Sequence, residues 1–73
     1  YAMGIARSAS GSVLGPWTQQ PVPIWAKNGG HGMLLQTLAG DTYLTFHAPN
    51  DTPNERVVLV PAQVSADTVS LLA

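Results

Sequence analysis

The chain has 73 residues, 10% of them charged and 45% hydrophobic, with net charge −1 and no cysteine, which excludes disulfide staples and thiolate-held zinc. A chain this short buries only about 60% of the surface its unfolded form exposes, and an ordinary soluble domain carries about 25% charged residues, so oligomerisation or a larger parent is expected to complete the fold. Arg7, Lys27 and Arg56 are too scattered to follow a phosphate backbone, and the apolar runs are far shorter than the roughly 18 residues of a membrane span, which excludes nucleic acid and membrane as partners.

The opening "YAMGIARSAS" lacks the basic start and cleavage site of a signal peptide and predicts a strand over residues 1–8. "SASGSVLGPW" then turns through Gly11 and Gly15-Pro16 into a short extended segment near Trp17, which Pro21 and Pro23 stop from building a full ladder. "KNGGHG" is a glycine hinge. Four further strands follow at close intervals, over residues 32–38, 42–48, 56–64 and 68–72, with "LAGDTY" as a tight turn, "APNDTPNE" as a polar loop and "SADT" closing the last hairpin. No helix is predicted.

Alternate residues in a strand point to opposite sides of the sheet. One side then takes Met33, Leu35, Tyr43 and Thr45, and the other Leu34, Leu38, Leu44 and Phe46. In the next strand Val57, Leu59 and Pro61 oppose Val58, Val60 and Ala62. Neither side is polar, whereas an antiparallel sheet standing alone keeps a wet face. Four short antiparallel strands that are apolar on both faces, preceded by the end of a similar unit, have the anatomy of a β-propeller blade. The expected fold class is all-β, a fragment of a propeller, with residues 1–26 ending the penultimate blade and 27–73 forming the final four-stranded one. A small β-sandwich or a self-associating meander is the alternative.

The pieces "YAMGIARSASGSVLGPW", "NGGHGMLLQTLAGDTYLTFHAPN" and "ERVVLVPAQV", in that order, resemble the C-terminal part of a glycoside hydrolase family 43 enzyme, a five-bladed β-propeller glycosidase. The resemblance implies inverting hydrolysis of arabinan-, xylan- or galactan-type linkages, as in an arabinofuranosidase or xylosidase, with a plant cell-wall polysaccharide as substrate of the complete enzyme. Inversion needs two carboxyl groups about 6.5–9.5 Å apart. In the family these come from earlier blades, so no catalytic residue maps onto this chain, and alone it is expected to be inactive. Asp41, Asp51, Glu55 and Asp67 read as solvated turn residues.

His31 lies between glycines that permit positive φ and close backbone approach. The resemblance places it at the propeller axis, where it would touch substrate or serve as one ligand of a calcium ion. A satisfied structural histidine is the other reading. Arg56 opens a strand with a planar fork suited to hydroxyls, and the resemblance implies sugar binding; a rim salt bridge with Glu55 or Asp51 is the alternative. His47 reads as a hydrogen-bonded sheet residue, Trp17 as core packed near Pro16, and Trp25 as either core or sugar platform. A non-catalytic assembly module that pairs with missing blades or with itself, or a carbohydrate-binding module, is the competing function.

Overall fold

The computed structural model describes residues 1–72. Six strands form in chain order: β1 (Ala6–Ser8), β2 (Trp17–Gln19), β3 (Gly30–Gln36), β4 (Thr42–Ala48), β5 (Arg56–Val64) and β6 (Val69–Leu71). β1 and β2 make an antiparallel pair, and β3-β4-β5-β6 make a four-stranded antiparallel meander in sequence order. No described residue is helical. The all-β expectation and the strand order therefore hold.

Three strands differ in their bounds, each for a local reason. The first predicted strand is cut back to Ala6–Ser8, with Met3 making a separate bridge to Trp25. Pro21 and Pro23 carry no N–H, so the ladder opposite them is interrupted: Gln20 N donates to the Ile5 carbonyl, and bonding resumes only at Ile24 N to the Met3 carbonyl. β3 starts two residues before the prediction and stops at Gln36. Thr37 closes the turn instead, donating its N–H to the Asp41 carbonyl and accepting the Gly40 and Asp41 N–H groups on its carbonyl and hydroxyl oxygens. Leu38 is thereby lifted out of the inner face and is fully exposed at the turn. β6 is shorter than predicted because Thr68 is spent on the Ser65 turn.

The pairing register puts Leu34, Leu44, Phe46, Val58, Val60 and Ala62 on one face. Met3, Ile24 and Trp25 pack over it, and Leu44, Phe46 and Ala62 are its buried centre. The cover is incomplete: a cavity of about 310 Å³ remains between Met3, Ile5 and Ile24 above and Leu34, Leu44 and Val69 below. Gln20 Nε2 bonds Thr68 Oγ1, and Arg7 Nη2 lies 3.4 Å from Asp67 Oδ1, tying the N-terminal segment to the far end of the sheet. The opposite face carries Met33, Leu35, Tyr43, Val57 and Leu59. It is apolar as expected, and in this chain it lies open, with Met33, Leu35, Val57 and Leu59 exposed.

Candidate functional site

His31, His47 and Arg56 gather at one end of the sheet, where β3 begins, β4 ends and β5 begins, while Asp41 and Asp67 lie in the turns at the other end. The register aligns Gly30 with His47, and His47 with Val57, across that end. Between Gly30 and Met33 the register slips through a bulge, and His31 occupies the bulge with φ 58°. That left-handed conformation is costly for any residue with a Cβ. Bulges of this kind re-aim a side chain, and here the His31 imidazole, exposed to solvent, stacks on His47 with ring centroids 4.9 Å apart.

The glycines around His31 are required by what lies over them. A Cβ on Gly29 would sit 2.8 Å from Trp25 Nε1 and 3.0 Å from the Phe46 ring, and one on Gly30 would meet the Tyr1 ring. Close backbone approach, one of the two roles read from the sequence, is thus the reason for the pair; the other is not met, since the positive φ falls on His31 itself and on none of the glycines beside it. Behind the hinge the Trp25 indole packs on Phe46 at 4.7 Å, so Trp25 is a core residue.

His47 is held from its other side. Its Nε2 lies 2.7 Å from Asn50 Oδ1, and Asn50 N donates to the Asn28 carbonyl, which pins the 49–55 loop against the hinge. His47 is thus the hydrogen-bonded sheet residue that was expected. Its pairing with His31 was not legible, because only the bulge brings the two rings together. Within the loop, Thr52 Oγ1 donates to Glu55 Oε2 at 2.7 Å. That bond first, then the backbone amide of Glu55, holds the Glu55 carboxyl below its ordinary range, with smaller help from His47 and Arg56.

Arg56 is exposed and its Nη1 donates to the Glu55 carbonyl at 2.8 Å. The salt-bridge alternative is not what the geometry shows, since Glu55 is engaged by Thr52. Arg56 pairs with Ala48 on the Phe46 face, while His47 and Val57 lie on the other, so His31 and Arg56 share an end of the sheet but not a face. Asp41, Asp51 and Asp67 are all exposed in turns and loops, as expected. Among the described residues no three His, Asp or Glu side chains are grouped to hold a metal ion.

One sequence reading is overturned. Trp17 is not core: it is 54% exposed, because the hairpin has no layer beneath it at this point and Pro16 only turns the chain into β2.

An antiparallel four-stranded meander flanked by a two-stranded pair, with no helix among the described residues, has the architecture of part of a propeller-type glycosidase. It is similar to the crystal structure of an endo-arabinase from Bacteroides thetaiotaomicron VPI-5482, with 42% sequence identity and a TM-score of 0.82 over 90% of this chain. The chain spans only 23% of that enzyme. The resemblance to glycoside hydrolase family 43 read from the motifs is thereby supported at the level of three-dimensional structure. No family model matches the chain, and no curated protein matches it. No helix is long and apolar enough to cross a membrane among the described residues.

Proposed function

We propose that the chain forms the last blade, residues 27–73, and the end of the preceding blade, residues 1–26, of an inverting glycosidase acting on arabinan-type linkages. The observation that carries this is the 42% identity to an endo-arabinase over 90% of the chain. Inverting hydrolysis needs an acid and a base flanking the sugar, about 6.5–9.5 Å apart. The carboxylates here lie in turns and loops, with Asp51 engaged by Asn54, Glu55 by Thr52 and Asp67 by Arg7, so the pair would come from further blades, and the chain by itself would be inactive.

In this reading the end of the sheet bearing His31 faces the substrate. The strained bulge supports it, because glycine at position 31 would remove the strain and yet an imidazole stands there. His31 would contact the sugar, and Arg56, at the same end of the sheet but on β5 beyond β4, would offer its guanidinium to further hydroxyls. Calcium takes six to eight oxygen ligands, and the residues present do not fit such a site on their own. His31 would supply at most one position, and the remaining ligands would have to be oxygens from outside this chain.

The test is a chimera in which these residues replace the matching segment of the endo-arabinase. Retained hydrolysis of linear arabinan, lost on His31→Ala, is expected, with the 73-residue chain alone inactive on arabinan and on aryl arabinofuranosides or xylosides. A folded chimera without activity on arabinan, or hydrolysis by the purified chain alone, overturns the proposal.

A further inference from the structure

The β1–β2 hairpin carries a surface that the His31 end does not use. Trp17 and Gln19 are two residues apart on β2 and so lie on one face, roughly 7 Å apart along the strand; Ser8 and Ala6 are their register partners. The exposed Trp17 ring is nonetheless fixed. Its Nε1 donates to the Val13 carbonyl at 2.8 Å, and its edge presses on Gly15, where a Cβ would come within 2.7 Å of Cδ1. The loop behind it is laced by serine hydroxyls: Ser8 Oγ donates to the Ser12 carbonyl, Ser10 Oγ donates to the Gly15 carbonyl, and Leu14 N donates to Ser12 Oγ. Little further ordering would be needed to present the indole to a ligand.

Next along the strand, Gln19 lines a cavity of about 200 Å³ together with Ala2, Gly4, Gln20, Pro21 and Pro23. No charged residue lines it. Arg7, on the paired strand β1, pairs with Thr18 on the opposite face and reaches Asp67.

We infer that Trp17, Gln19 and this cavity form a binding surface for a neutral polysaccharide strand, separate from the His31 end. The indole offers a flat apolar face to the C–H side of a sugar ring. The Gln19 amide has both a donor and an acceptor for neighbouring hydroxyls of the next unit, and the uncharged cavity takes the unit beyond. The choice of arabinan as the foremost ligand rests on the proposed function; the platform itself rests on the hairpin geometry.

Affinity electrophoresis of the 73-residue chain through gels containing linear arabinan, xylan or dextran tests the surface. Arabinan is expected to retard the chain, Trp17→Ala to weaken its apparent Kd about tenfold, and Gln19→Ala to weaken it less. Trp17→Phe keeps a stacking face but loses the bond to Val13, and is expected to fall between. Near-UV circular dichroism from the Trp25–Phe46 pair reports that each variant is folded. Trp17-dependent retardation by xylan or dextran but not arabinan upholds the platform and overturns arabinan as its ligand. Equal retardation of the parent and both folded Trp17 variants, or none in any gel, overturns the platform.

Discussion

The imidazoles of His31 and His47 stack with centroids 4.9 Å apart and planes 28° from parallel, although the two residues stand on different strands and their register partners are others. The bulge that allows this holds His31 at φ 58°. Stacking contributes about 0.5–1.5 kcal/mol, and the left-handed backbone costs about 1–2 kcal/mol. His31→Ala loses the first and keeps the second, whereas His31→Gly loses both. The glycine variant is therefore expected to be more stable than the alanine variant by roughly 1–2 kcal/mol in urea unfolding. Equal midpoints would show that the backbone at position 31 carries no strain.

Gly29 and Gly32 differ in what a methyl group would meet. At Gly29 the neighbours are the Trp25 and Phe46 rings, at 2.8 and 3.0 Å, which are packed on each other. At Gly32 the neighbour is the Met3 thioether at 2.6 Å, the end of a flexible side chain that can swing aside. Gly29→Ala is expected to destabilise by about 1–3 kcal/mol and Gly32→Ala by less. Thermal unfolding of the two variants decides it, and the reverse order would contradict the packing described.

Trp25 buries its indole Nε1 without a hydrogen-bond partner. Replacing it with phenylalanine removes a buried donor that gains nothing from folding and keeps an aromatic ring against Phe46. Trp25→Phe is thus expected to cost no more than about 1.5 kcal/mol, while Trp25→Ala costs about 3 kcal/mol or more. Guanidinium unfolding monitored by far-UV circular dichroism separates the two. A phenylalanine variant as unstable as the alanine one would point to a partner for the indole N–H.

The Glu55 carboxyl titrates below its ordinary value of 4.5 in the folded chain, chiefly because Thr52 donates to it. A depressed folded value means that the stabilisation is present above the unfolded value and is lost as pH falls through the folded one. The 49–55 loop is expected to loosen only below about pH 4.5, and Thr52→Val to move the Glu55 midpoint back up. Side-chain carbon chemical shifts of Glu55 followed against pH measure this directly; an unchanged midpoint in the Thr52 variant would remove Thr52 as the cause.

Much of the strand order was legible because alternation and turn chemistry are local. Val, Leu, Thr and Tyr separated by Gly, Pro, Asn and Asp leave little choice of element, and β4 and β5 fall on the predicted residues. The apolar character of both faces followed from the same alternation. Leu38 was misplaced because a period-2 pattern does not say where a strand gives way to its turn, and the Thr37 hydroxyl settled that. Trp17 was misplaced because side-chain size predicts burial only where a second layer exists.

The sequence by itself determined an antiparallel meander with apolar residues on both faces, and a glycine hinge carrying His31. Only the tertiary structure decided that His31 meets His47, that Arg56 turns to the other face, and that Trp25 is covered while Trp17 is not. Those outcomes depend on one extra residue in a bulge and on which segment crosses over the sheet. Both are set by contacts between residues distant in the chain, and no local pattern encodes them.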